Sequence, residues 1–289
     1  MGVKKHTPLF LFDVPSNAGC LEVGTDLFAK HLRTSGIKEL IAATGRRVED
    51  LGAIQCNDLP RHNIPPIRNY PSPKIVWERS SRFIKDHGDS LKGGIGICLG
   101  GDCSIVVGTA TGFAELWGPE NVHIIYIDGD VDSMKPDPSK CAGSAGMGLW
   151  FLTQKSEYWN GATIDPKQIT VIGNKEPPTT DVGIPFIPLT EIMENDIQTC
   201  TNRILANIPQ SKVFVHFDVD VICQEEMPAS YAPREKGLTF AQTEILLKTV
   251  CSDPRVKFFE ITEFMPNKDP NGYLGKKIST LMASCMLGI

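Results

Sequence analysis

Short, almost continuous apolar runs alternate along the chain with longer segments in which apolar residues recur every three or four positions. The runs PLFLFDV (8–14), GGIGICLGG (93–101), VHIIYID (122–128), QITVIG (168–173), KVFVHFDVD (212–220) and VKFFEITEF (256–264) are short and rich in β-branched and aromatic residues, and they predict strands. The segments EVGTDLFAKHLRTSG (22–36), SIVVGTATGFAELW (104–117), EIMENDIQTCTNRILANI (191–208), TFAQTEILLKTV (239–250) and GKKISTLMASCMLG (275–288) carry the helical period. Thr239 and Gln242 stand in the capping-box arrangement, and Gly36 predicts a helix end. Strands alternating with helices predict an α/β fold with a mainly parallel sheet covered on both faces. Leu59–Lys74 is proline-rich and predicts an irregular excursion. No repeat or composition shift divides the chain, so 1–289 reads as a single domain.

Composition narrows the class without choosing a function. An apolar fraction of 41% and a charged fraction of 22% are ordinary for a globular protein, and a net charge of −5 offers no basic footprint for nucleic acid or an anionic membrane. No apolar run approaches the roughly 20 residues of a membrane span, and the start, MGVKKHTPLFLFDV, fits neither a secretory signal nor, with His6 at the hydroxyl position, a myristoylation site. Nine cysteines without a CxxC pair read as reduced thiols, Cys98, Cys200 and Cys251 as core residues. These features predict a cytoplasmic protein.

The chemistry concentrates at strand ends, where parallel sheets bind ligands. Asp128, Asp130 and Asp132 follow one apolar run, and Asp218 and Asp220 end another. Carboxylates gathered in a dry site repel by several kcal/mol, and divalent cations with a taste for oxygen, Mn²⁺ or Mg²⁺, relieve that repulsion. An EF-hand beginning at Asp128 fails, because Ser133 and Ser139 occupy the glycine and glutamate positions. A DxDx[T/V] phosphatase nucleophile at Asp128 or Asp218 is matched in part, with Asp132 and Ile222 at the Thr/Val position, and stays open as a Mg²⁺-dependent phosphohydrolase.

A third strand end, LGGDCSIVVG, adds Asp102, Cys103 and Ser104. In order with DGDVD, HFDVDVICQEEMPA, GLT (237–239) and FFEITEF, it resembles the arginase/agmatinase ureohydrolase family, whose motifs are GGDHS, DAHxD and SxDxDxxDPxxxPG. Through Cys103, HFDVDVICQEEMPASY and the Glu260–Glu263 pair the chain also resembles the Nω-hydroxy-arginine hydrolases of D-cycloserine biosynthesis. The resemblance implies a three-layer α/β/α sandwich with a parallel, roughly eight-stranded sheet. It also implies an amidinohydrolase that uses one or two Mn²⁺ ions to cleave the guanidino C–N bond of arginine or Nω-hydroxy-arginine, giving an ornithine-type product and urea or hydroxyurea. The partner it implies is a small guanidino compound, and many members form homo-oligomers.

Carried over residue by residue, the resemblance gives one metal to Cys103, Asp128, Asp132 and Asp218, and the other to Asp128, Asp130, Asp218 and Asp220, with Asp128 and Asp218 bridging. It makes Asp130 and Glu263 catalytic residues, Glu263 the carboxylate partner of the substrate guanidinium, and Thr239 a substrate-side threonine. Both histidine ligands of the family are replaced, by Cys103 and Asp130. Manganese prefers oxygen and nitrogen to sulfur, so the Cys103 position is expected to bind weakly or not at all. The loop PDPSKCAGSAGMG (136–148) has no proton-shuttling histidine, and GNKEPPTTD (173–181) offers Pro177 and Pro178 where arginases grip the α-amino group. These losses favour a hydroxyguanidine, whose leaving group needs little protonation, and leave a degenerate, non-catalytic homologue open. His216, two residues before Asp218, reads as a buried hydrogen-bonded neighbour of the ligands, and His123 as structural.

Overall fold

The computed structural model of the protein describes residues 7–287. The reading of the first six residues, including His6, lies outside them. One parallel eight-stranded sheet is formed by β1 (Leu9–Asp13), β2 (Val48–Ala53), β3 (Ile95–Leu99), β4 (Val122–Ile127), β5 (Ile169–Ile172), β6 (Phe186–Ile187), β7 (Lys212–Asp218) and β8 (Val256–Thr262). Their spatial order is β2-β1-β3-β8-β7-β4-β5-β6. The six apolar runs are the six inner or near-inner strands. The sequence pattern passed over β2 and β6, the two sheet edges, because β2 is partly exposed along its length and β6 has two residues.

Alternation along each strand divides the core in two, which makes the molecule a three-layer α/β/α sandwich. Leu9, Leu11, Ile97, Ile127, Val215 and Phe217 face one side, against α1 (Phe28–Thr34), α2 (Ile37–Ala42), α7 (Leu189–Glu194), α8 (Ile197–Ala206), α9 (Phe240–Cys251) and α10 (Tyr273–Cys285). Phe10, Phe12, Cys98, Tyr126, Phe214 and Phe258 face the other, against α3 (Ser72–Asp86), α5 (Val106–Trp117) and α6 (Gly148–Thr153). The short helix α4 (Gly88–Lys92) leads into β3. Burying each large apolar side chain contributes about 1.5–3 kcal/mol. A core of this extent offsets the cost of crowding carboxylates at one end of the sheet.

Local chemistry sets the helix ends. The capping box at Thr239 forms as expected, its side chain accepting from Gln242 N while Gln242 Oε1 accepts from Thr239 N. The segment 191–208, expected as one helix, is two: α7 stops at Glu194 and Asp196 caps α8 by accepting from Thr199 N. The apolar period runs through both pieces, but an aspartate that can satisfy the new helix's free N–H groups starts a second helix. The proline-rich excursion ends at Ser72, where α3 begins.

The strand order matters for function. β3, β8, β7 and β4 are consecutive in the sheet, so their carboxyl ends form one row although they come from four distant parts of the chain.

Candidate metal centre and active site

The segments following those four ends supply Cys103, Glu263, the pair Asp218 and Asp220, and the series Asp128, Asp130 and Asp132. All line one cavity of about 310 Å³, together with Met134, Glu176, Pro177, Tyr231 and Arg234 among others. Thr239 lies outside that lining, its hydroxyl engaged in the helix cap.

Backbone N–H groups hold the acids in place. Asp128 Oδ1 accepts from Asp130 N at 2.6 Å, Asp218 Oδ1 from Asp220 N at 2.7 Å, and Asp220 Oδ1 from Gly129 N at 3.1 Å. The last bond ties the loop after β4 to the loop after β7. Gly129 is needed for it: a Cβ there would stand 2.8 Å from Asp220 Oδ1 and 2.6 Å from Lys175 Nζ.

Two groups of side chains bring potential ligand atoms within 4.8 Å of one another: Asp128, Asp218 and Asp220, and Cys103, Asp128 and His216. Asp132 and Asp130 are in neither. Asp132 Oδ2 accepts from Tyr126 OH at 2.6 Å. Asp130 turns toward solvent and forms an ion pair with Arg234 at the cavity rim. Lys175 also approaches this side, donating from Nζ to the carbonyl of Asp220 at 3.0 Å.

Burial and mutual repulsion dominate the electrostatics. Desolvation, then the charges of Asp132, Asp218 and Asp220, push the Asp128 carboxyl well above the usual range. Desolvation followed by Asp220 and Glu263 does the same for Asp218. Burial raises Asp132 to about 8 and Asp220 to about 6, the latter restrained by Lys175. The Cys103 thiol is pushed up by burial and then by Asp218, Glu263 and Asp128. Burial lowers Lys175, and the acids around it oppose that shift.

Glu263 occupies a strained position. Its φ of 69° is left-handed, which a residue with a Cβ adopts at a cost on the order of 1–3 kcal/mol. Hydrogen bonds hold it there on both sides, from its own N–H to Gly101 O and from Tyr231 N to its carbonyl. Gly101 has no room for a side chain, since a Cβ would meet Ser16 O at 2.0 Å. The bend aims the Glu263 carboxylate into the cavity, where Oε1 accepts from Cys103 N at 2.6 Å and buried Oε2 has no partner. Asp128 Oδ2 is also buried and unpartnered. Orphaned acceptors of this kind cost free energy unless a cation or donor meets them. Oxygen donors with free lone pairs at Asp128, beside Asp218 and Asp220, fit a hard divalent cation.

Other residues singled out in the sequence fall elsewhere. Asp102 is wholly buried and ties the loop after β3 together, accepting from Ser16 Oγ, Gly19 N and Ser104 N. His123, at the opposite end of β4, bonds Thr170 and Gln210, and burial lowers it to about 4. Asp181 turns back to accept from Gly183 N, whereas Glu176 lines the cavity. All nine cysteines are free. No helix among the described residues is long and apolar enough to cross a membrane. The sequence reading missed Lys175, Arg234 and Tyr231, which lie in loops with no periodic signal. His216, read from its two-residue spacing to Asp218 as a buried hydrogen-bonded neighbour of the ligands, lies there, with Nε2 3.3 Å from Cys103 Sγ.

The comparisons with known proteins agree with the fold. Arginase-1 of Xenopus laevis is 23% identical over 266 residues, covering 85% of this chain and 82% of the relative. The arginase of Bacillus caldovelox is 24% identical over 294 residues, covering 96% and 97%. Its native crystal structure at pH 5.6 superposes with a TM-score of 0.86 at 20% identity, over 96% and 98% of the two chains. Entamoeba histolytica arginase in complex with L-ornithine gives 0.88 at 20% identity, over 99% and 100%. The model of the arginase family matches residues 9–288, and the chain belongs to that family.

Proposed function

We propose that the protein is a manganese-dependent amidinohydrolase that cleaves the guanidino C–N bond of an arginine-like substrate, with Nω-hydroxy-arginine favoured over arginine. The observation that carries this reading is the pairing, in one cavity, of a buried carboxylate cluster with a strained glutamate whose free oxygen faces the same space. Asp128, Asp218 and Asp220, with Asp132 and Cys103 beside them, would hold the cation. Once bound, a divalent cation supplies water activation and stabilises the charge that develops at the attacked carbon. Glu263 binds one edge of the planar guanidinium through Oε2, fixed by the Cys103 N–H on Oε1. The flanking acids attract a cationic substrate, and burial excludes bulk water from the reacting carbon.

Among the described residues no histidine lines the cavity, and His216 reaches it only through Cys103. This supports a hydroxyguanidine, which releases a less basic group. A phosphate ester is disfavoured by the same lining: it carries Asp128, Asp130, Asp132, Glu176, Asp218, Asp220 and Glu263 against Arg234, which Asp130 already engages. The span of the family match and the single sheet support reading 1–289 as one domain.

The test is release of urea and hydroxyurea by the manganese-loaded protein from arginine and Nω-hydroxy-arginine. Faster hydroxyurea release is expected. Equal turnover on both substrates would overturn the preference. Bound manganese with no release from either would instead support a non-catalytic homologue.

A further inference from the structure

His216 is the residue least explained by the account so far. It lies on β7, wholly buried, its ring stacked on Tyr126 of β4 with centroids 4.1 Å apart and planes 7° from parallel. On the other side β8 brings Glu260, equally buried, whose Oε1 lies 2.8 Å from His216 Nδ1. Thr109 Oγ1 donates to the other Glu260 oxygen at 2.6 Å. A carboxylate on Nδ1 holds the proton there and leaves the Nε2 lone pair free. Nε2 points to the cluster: Cys103 Sγ is 3.3 Å away and Thr262 Oγ1 3.4 Å. Cys103 Sγ in turn lies 2.9 Å from Asp218 Oδ2 and 3.1 Å from Thr262 Oγ1. The thiol proton serves Asp218 Oδ2 and the Thr262 hydroxyl can serve Sγ or Nε2, but no donor reaches Asp128 Oδ2, which stands unpartnered in the same group as Cys103 and His216.

We propose that His216 Nε2 is a metal ligand, sharing with Cys103 and Asp128 the cation that the proposed function requires. The inference rests on that reading and changes the expected ligand set. The imidazole that the ureohydrolase motif carries at position 103 is supplied here from β7, across the intervening β8, with Glu260 of β8 orienting it from behind. Nitrogen from His216 also makes the Cys103 side acceptable to manganese, which the cysteine alone does not. His216 therefore ceases to be a mere neighbour of the ligands.

The same three residues could be taken for a Cys103–His216–Glu260 nucleophile triad. Electrostatics argue against it. A nucleophilic thiolate needs positive surroundings, and the charges acting most strongly on Cys103 are those of Asp218, Glu263 and Asp128, with Asp218 Oδ2 2.9 Å from Sγ. A cation among those groups reverses the balance, whereas a proton relay does not.

The experiment uses the intact protein stripped with chelator and reloaded with manganese chloride alone. Electron spin-echo envelope modulation of the bound Mn²⁺ is expected to show directly coordinated imidazole ¹⁴N, and that coupling should vanish in His216→Gln. Glu260→Gln, which keeps the packing, should weaken manganese binding about 10- to 100-fold, the usual effect of removing the carboxylate behind a ligating histidine. Bound manganese without imidazole coupling in the wild-type protein would overturn the proposal and leave the proposed function standing. Hydrolysis that survives metal removal but is lost on alkylating Cys103 would overturn it in favour of the triad. A wild-type protein that binds no manganese at all would sink the proposed function itself.

Discussion

The two flanks of the carboxylate cluster are balanced in opposite ways. On the flank under β3 and β8, Cys103 and Glu263 are buried, and the charges acting most strongly on each are other carboxylates. On the flank built by the loops after β4 and β7, Arg234 pairs with Asp130 and Lys175 Nζ rests on the Asp220 carbonyl. Among the described residues, cations approach the acids of the second flank, whereas none is among the main charges acting on Cys103 or Glu263. A side-chain cation is fixed in charge and reach. A metal must bring its charge from outside, so the flank without lysine or arginine is the one whose acids depend most on an ion. The unpartnered oxygens follow that division, since Glu263 Oε2 lies on the flank under β3 and β8 and Asp128 Oδ2 where the flanks meet.

Asp128 is the residue common to both groups able to hold an ion, so its substitution should have the largest effect. Asp128→Asn is expected to reduce bound manganese to background by elemental analysis. It should also raise the melting temperature of the metal-free protein, because one repelling charge is gone. Asp218→Asn should behave alike. Full retention of metal by either variant would mean the flanks do not share a site.

Glu263→Gln separates substrate binding from metal binding. The amide keeps the shape but loses the charge-assisted bond to a guanidinium, a contact worth about 1.5–3 kcal/mol, which corresponds to a loss in kcat/KM of about 10- to 100-fold. Manganese content should not change. A variant with normal kcat/KM would remove Glu263 from the substrate's path.

How far this division could be read from the sequence depends on range. The six apolar runs declared their strands because each is buried on both faces, and the capping box at Thr239 is a local signal. The acids at Asp128–Asp132 and Asp218–Asp220 were visible as polar ends to apolar runs. The insertion of β8 between β3 and β7 was not, and that insertion is what sets Glu260 behind His216 and Glu263 over Cys103. Arg234 and Lys175 were invisible for a related reason. Each acts through a loop whose path is fixed by packing rather than by period. Asp130, read as a ligand, lines the cavity and pairs with Arg234, an arginine more than a hundred positions away.

Removing the metal should invert the ordinary pH response of stability. In the metal-free protein Asp132 titrates near 8 and Asp220 near 6, both above their unfolded value. Between about pH 4 and 8 the folded state thus holds protons that the unfolded chain has released. Stability falls as pH rises through this window and is greatest at its acid end. A melting curve at each pH should show the decline. Saturating manganese should oppose it, since the metal displaces those protons and binds more tightly as pH rises. A metal-free protein whose melting temperature climbs from pH 4 to 8 would mean the acids are not crowded.

The smallest effect is expected where the chain already supplies its own cation. Lys175 Nζ donates to the carbonyl of Asp220, so Lys175→Met removes the ammonium from beside that residue. Losing a positive charge leaves the acids freer to attract a dication. At a half-exposed position the gain in manganese affinity should be modest, about 3- to 10-fold by isothermal titration, and it should shrink at high salt. Weaker manganese binding in Lys175→Met would reverse the assignment of the two flanks. The lysine would then be organising the ligand loop through its bond to the Asp220 carbonyl, and the geometry it imposes would outweigh the charge it carries.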